Sequence, residues 1–180
     1  MYIKNFFGHL HTVNKHRWYV FKLSIKAGIP VRGLFHDLSK YSPVEFFEGV
    51  KYFDGSRSPI KVCKDYNGYS KAWLHHKGRN KHHFEYWYDF WAPTEAAPMP
   101  FKCFCELVCD NLAAGIAYKK KEWNIHEPLE YFLSRKDRKY INENIDKAIV
   151  ETYTELSKKG LDKTINKRNL KRIYNMYCGK

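Results

Sequence analysis

The chain has 180 residues, 44% of them hydrophobic and 17% aromatic. That is enough to close one core, and it excludes a disordered chain. Lys and Arg number 32 against 19 Asp and Glu, a net charge of +13, which draws nucleotides, nucleic acid or an acidic membrane surface, or else only keeps the protein in solution.

No apolar run reaches the roughly 18 residues of a membrane span. Residues 1–10 have no long apolar stretch of the signal-peptide kind. A cytoplasmic protein with no membrane partner is the expectation. The cysteines are Cys63, Cys103, Cys105, Cys109 and Cys178, an odd count with no C-x-x-C pair. Buried free thiols fit better than a disulfide framework or a soft-metal site.

The spacing predicts a helix from Asn5 to Ala27, stopped by Gly28-Ile29-Pro30. A short helical piece then carries His36-Asp37. Ser42-Pro43 starts the next helix, with Ser42 as N-cap and Glu45 placed for a capping box. It runs to about Tyr52. Residues 54–59 form a loop, and a helix spans Ile60 to His76 with a possible break at Gly68. Lys77 to Lys81 is a polar connection, followed by an aromatic segment from His83 to Trp91. Residues 92–100 hold three prolines and are irregular. Phe101 to Tyr118 is a long apolar helix. Two or three more helices follow, at about 128–133, 137–158 and 162–177, and no strand or repeat is evident. The reading is one all-α domain over 1–180, with a core at about 5–120 and basic C-terminal helices at about 126–178. Lys163, Lys167 and Lys171 lie four apart, as a phosphate-binding strip or as a solvated face.

Two helices carry polar residues on apolar stripes. In the first, the four-three spacing picks out His9, Val13, His16, Val20, Leu23 and Ala27. In the long apolar helix it picks out Cys103, Leu107, Asp110, Ala114 and Ala117. A buried imidazole or carboxylate must be paired, and metal ligation is one way to pair it. Singly, each residue is better read as a hydrogen-bonded core histidine or a salt-bridged acid. Together with His36-Asp37, and with His75, His76, His82 and His83 packed into nine positions, they point to a metal site.

The order His16, then His36-Asp37 within His-Asp-Leu-Ser-Lys, then further His, then Asp110 resembles the HD-domain superfamily of metal-dependent phosphohydrolases. Lys40 stands where that superfamily often has a lysine. His82-His83 with Glu85 resembles the added histidines of dinuclear members such as the HD-GYP phosphodiesterases, although the Gly-Tyr-Pro signature is absent. Ser42-Pro43-Val44-Glu45-Phe46 and Asn80-Lys81-His82-His83-Phe84-Glu85-Tyr86 resemble a small family of uncharacterised bacterial HD-like proteins.

The resemblance implies an HD-like helical bundle with one or two divalent transition-metal ions (Fe, Mn, Zn, Co or Ni). His16, His36, Asp37 and Asp110 would hold one ion. Asp37 would bridge to a second, held by His76, His82 and His83. The expected activity is hydrolysis of a nucleotide or other phosphoester by a metal-activated water. Asp37, Lys40 and Glu45 are the expected catalytic residues, and Lys77, Arg79 and Lys81 the expected phosphate contacts. Glu45 or Glu85 would move protons, cap a helix or orient a histidine. Two other readings stay open: a di-iron oxygenase on the same ligands, and a basic module that binds nucleic acid or a protein partner.

Overall fold

The four-three stripe of the first helix is buried along its length, and that burial fixes where the helix lies. In the computed structural model, which describes residues 2–179, α1 spans Tyr2–Lys26. His9, Val13, His16, Val20 and Leu23 all face inward. Gly28 ends the helix with φ of +75°, a backbone that only glycine adopts freely. Helix α2 (Pro30–Phe35) folds straight back against α1.

The remaining helices are α3 (Pro43–Lys51), α4 (Pro59–Asn67), α5 (Lys71–Lys77), α6 (Phe101–Lys119), α7 (Glu127–Ser134), α8 (Glu143–Lys159), α9 (Leu161–Thr164) and α10 (Lys167–Cys178). The chain is all-α: among the described residues there is no strand, only one isolated bridge between Tyr88 and Ala96. Among the described residues, no helix is long and apolar enough to cross a membrane. The five cysteines carry no disulfide.

Helix α6 is the central element. It packs on α1 over much of its length and touches α7 and α10. One continuous apolar cluster takes Val20 and Leu23 from α1, Phe104, Val108 and Leu112 from α6, Ile149 and Leu156 from α8, and Leu170 and Ile173 from α10. The basic C-terminal helices therefore contribute core residues. A second group, α3 with α4 and α5, packs on α1 nearer its N-terminus, where Gly49 meets His9 of the same stripe.

Local chemistry breaks three of the expected helices. The stretch from Ile60 to His76 splits at Gly68, whose φ is +76°. Helix α5 restarts with Ser70 accepting a hydrogen bond from Trp73 N, and the Glu48 carboxylate of α3 receives Ala72 N at 3.1 Å. The helix expected from Asp137 begins instead at Glu143, because Asn142 caps it by accepting from the N–H groups of Asn144 and Ile145. Asn166 caps α10 in the same way and interrupts the expected helix from Asp162. Lys163 thus falls on α9 while Lys167 and Lys171 fall on α10, so no single helical strip joins the three. At the start of α3 the capping box is absent. Ser42 makes no side-chain cap bond, and Glu45 turns inward to two histidines.

The approach of α2 to α1 depends on Gly33. A Cβ there would lie 2.3 Å from Ser24 Cβ and 3.3 Å from the Phe21 backbone. Gly33→Ala is expected to push α2 off α1 and to cost about 1–3 kcal/mol, as overpacking does. Urea denaturation of the two proteins checks it; equal midpoints would show that the contact yields without strain.

Candidate metal centre

Five segments bring imidazoles and carboxylates to one buried point. His16 comes from the middle of α1 and Asp110 from the middle of α6. His36 ends α2, and Asp37 follows it in a left-handed conformation (φ 53°, ψ 31°). That conformation is uncommon outside glycine, and Asp and Asn tolerate it best. Arg17, next to His16, holds this turn. Its Nε donates to the His36 carbonyl and its Nη2 to the Leu34 carbonyl, both at 2.8 Å, and its Nη1 reaches Tyr41 OH at 3.0 Å. His76 ends α5, and His82 and His83 lie in the turn before the short helix at Phe84–Trp87.

The Asp37 carboxylate is buried between two sets of donors. Its Oδ2 lies 3.2 Å from His36 Nε2 and 4.0 Å from His16 Nε2. Its Oδ1 lies 3.3 Å from His76 Nε2 and 3.5 Å from His82 Nε2. Asp110 Oδ1 completes the first set, 3.0 Å from His16 Nε2 and 3.5 Å from His36 Nε2. Two groups follow, each with all its donor atoms within 4.8 Å of one another: His16, His36, Asp37 and Asp110, then Asp37, His76, His82 and His83. Donors about 2.0–2.2 Å from one ion lie roughly 3–4 Å apart, and these distances match that spacing.

The hydrogen bonding fits the same arrangement. The Nε2 atoms of His16, His36, His82 and His83, and both Asp37 oxygens, are buried without a hydrogen-bond partner. Their close approaches are not aligned as hydrogen bonds. Buried polar atoms left this way cost free energy unless something else satisfies them, and a cation in each group would do so. The residues therefore fit a pair of metal ions. Every donor is an imidazole or a carboxylate, which suits divalent first-row metals and not a thiolate-bound ion.

Behind the donors stands a second row of carboxylates. Glu106 of α6 accepts from His36 Nδ1 at 3.0 Å and lies 3.3 Å from His82 Nδ1. Arg32 braces it with Nε at 2.7 Å. Glu45 accepts from His76 Nδ1 at 2.7 Å and from His75 Nδ1 at 2.6 Å. Placing the protons on Nδ1 leaves Nε2 bare and aimed at the centre. His36, His82 and Glu106 also form a compact triad. There Nδ1 faces the carboxylate, so it is the support of the centre and not a third metal group.

The charges follow from burial and neighbours. Burial by itself would raise Asp37, but His36, Lys40 and His76 outweigh it and hold the carboxyl well below its usual range. Asp110 is held down in the same way against burial, by His16 and His36. Glu106 falls to about 2, its burial overcome by His36 and His82. Burial would lower His36, yet Asp37, Asp110 and Glu106 lift it well above 6.5. Burial dominates for His16 and His83, which are both lowered.

The structure thus brings His16, His36, Asp37, His76, His82, His83 and Asp110 together. Of the paired histidines 75 and 76, His76 faces the centre and His75 stands outside it. Lys40 joins them, with Nζ 3.0 Å from Asp37 Oδ2. Glu45 lines the adjoining chamber with both oxygens engaged by histidines. Lys77, Arg79 and Lys81 do not line that chamber; Arg79 and Lys81 are exposed, and Arg79 reaches only the His75 carbonyl. His9, on the same stripe as His16, belongs to neither donor group. It packs on Gly49, its Nδ1 lacks a partner, and burial with the charge of Lys40 lowers it to about 4.

Sequence reasoning missed Glu106. A signal was present, since Glu106 precedes Asp110 by one helical turn and so shares its face. Arg17 and Arg32 had no comparable signal; their role depends on how α2 folds back.

Residues 5–155 match the model of DUF5662, a family of unknown function. This chain belongs to the DUF5662 family. The match covers the whole donor cluster, from His16 to Asp110, and runs on into α8. No curated protein and no solved structure matches the chain.

Two outcomes are expected of the centre. Glu106→Gln should weaken metal binding by about 10–100-fold, as loss of a supporting carboxylate does; chelator competition measures it, and unchanged affinity would refute the supporting role. Metal affinity should also climb with pH. Below its raised pKa, His36 carries a proton that an incoming ion must displace, so acid weakens binding and uptake releases protons. Calorimetry in buffers of different ionisation enthalpy reads the protons directly.

Proposed function

We propose that this protein is a metal-dependent phosphohydrolase of the HD type, acting on a nucleotide or another phosphoester. The observation that carries the reading is the split of Asp37: Oδ2 faces His16 and His36, while Oδ1 faces His76 and His82. A pair of divalent ions would be held by the two imidazole-rich groups, with Asp37 contributing one oxygen to each. Such ions would supply positive charge for phosphoryl oxygens and lower the pKa of a water toward neutrality.

The chain's own residues do the rest. Hydrolysis breaks the ester P–O bond, forms a new P–O bond to the water oxygen, and leaves phosphate and an alcohol. Lys40 lines the chamber of about 320 Å³ beside the centre. Burial opposes its charge, but Asp37 and Asp110 more than offset that, so it stays an ammonium at any working pH. It is the phosphate contact in this reading, in place of Lys77, Arg79 and Lys81. Glu45 orients His76 and leaves proton transfer to other groups. Glu106 does the same for His36 and His82. Neutral His9 offers a weak polar contact farther along the chamber, two helical turns from His16.

The test begins with metal content. Wild type should hold about two equivalents of Mn, Fe, Co, Ni or Zn, and Asp37→Ala should lose both. The loaded protein should release phosphate from nucleotides or simple phosphoesters. Lys40→Met should retain metal and lose about 100-fold or more in kcat/KM, as removal of a charge-stabilising donor does. Oxygen uptake by the iron form without phosphate release would replace this reading with the di-iron oxygenase. Metal-free protein that takes up none of these ions would sink both.

A further inference from the structure

A second chamber lies beside the first and has no part in the chemistry above. It holds about 420 Å³ between α6, α7 and α8, and shares Ala114, Tyr118 and Tyr131 with the chamber at the metal centre. The two spaces therefore meet at a common wall. Asp110 points to the donor cluster, and the next residue, Asn111, lines the second chamber and donates to Tyr153 OH at 3.0 Å.

The walls of this chamber are aromatic. Phe132 and Tyr153 are buried along its lining, while Tyr118 is part-exposed and Tyr131 largely exposed at its edge. Trp123 closes one side, lying on Gly115 of α6. A Cβ at that glycine would fall 2.8 Å from the indole nitrogen, so any other residue would push the ring away. The cations here are already matched: Lys119 pairs with Glu127 at 2.8 Å, and Arg135 makes a two-pronged contact with Asp137. The chamber offers flat apolar surface without a free positive charge. The first chamber is also largely apolar in its lining, and differs in presenting the Lys40 ammonium.

We propose that the second chamber binds a planar aromatic ring carried by the substrate. Seating the substrate's phosphate in the first chamber rests on the phosphohydrolase reading; the ring site itself stands without it. A ring stacked among Tyr118, Trp123 and Tyr131 would gain from contact of flat faces, which is tolerant of ring identity. A charged group at the other end would reach toward Lys40 past the shared residues Ala114, Tyr118 and Tyr131. The chain would then favour compounds with a phosphoester at one end and a flat ring at the other, such as nucleotides or aryl phosphates.

Calorimetric titration of the full chain tests this, with chelator-treated and metal-loaded protein. The probes are adenosine, phenyl phosphate, glycerol 3-phosphate and inorganic phosphate. Adenosine should bind the chelator-treated protein, and Trp123→Ala should weaken it on the order of 10- to 100-fold. Gly115→Leu, which displaces the indole, should weaken it similarly, and circular dichroism confirms that each variant is folded. Adenosine bound more tightly than phenyl phosphate would identify the ring as a nucleobase; tight binding of both would extend the site to aryl groups generally. No ring binding to wild type, or binding unchanged in both folded variants, would overturn the ring site. Cleavage of glycerol 3-phosphate alongside that failure would leave the phosphohydrolase reading intact. Ring binding without cleavage of any phosphoester would do the reverse.

Discussion

A single carboxylate buried among imidazoles sets the terms for the rest of this molecule. Asp37 keeps its charge although almost none of it meets solvent. Such a charge survives only where positive groups or hydrogen bonds compensate it. Here the compensation comes from distant parts of the chain: α1, the end of α2, the end of α5, the turn at 82–83, and α6. Each element must arrive at the right height and rotation for its side chain to reach. The helical packing is in effect the means of holding five imidazoles and two carboxylates at one place.

The precision comes from the groups behind the donors. An imidazole on a helix can swing and can carry its proton on either nitrogen. Glu106 and Glu45 remove both freedoms by accepting hydrogen bonds from the Nδ1–H groups of His36 and His76. Arg32 then holds Glu106, and Arg17 holds the turn that bears His36 and Asp37. The left-handed backbone at Asp37 costs some free energy, and Arg17 over-determines it by binding the carbonyls on its N-terminal side.

The surroundings divide into a chamber with a fixed ammonium and an aromatic chamber without free cations. The strong positive charge of the chain does not concentrate at the centre, where Lys40 is the lysine that contacts Asp37. Much of it lies on the C-terminal helices, whose inner faces complete the apolar core against α6.

Several features were legible in the sequence because they depend on local rules. The four-three stripes placed His16 and Asp110 inside before any fold was known, since a buried helical face repeats with the turn of the helix. The all-α class followed from the same periodicity, and Gly28 marked a helix end because few other residues adopt its backbone. The break at Gly68 was legible for the same reason. The caps at Asn142 and Asn166 were also local, but the competing apolar periodicity masked them. The remaining decisions needed tertiary structure. Glu45 reads as a capping residue in sequence, yet α5 brings two histidines to it and a charged hydrogen bond outweighs a cap. Lys77, Arg79 and Lys81 sit beside the histidines in sequence, but a side chain's direction depends on which way its helix end faces, and the chamber lies elsewhere. Sequence fixes which residues must be buried or turned, because those rules act within a few positions along the chain. Which buried donors meet one another is decided by packing between helices far apart in sequence, and no local rule carries that information.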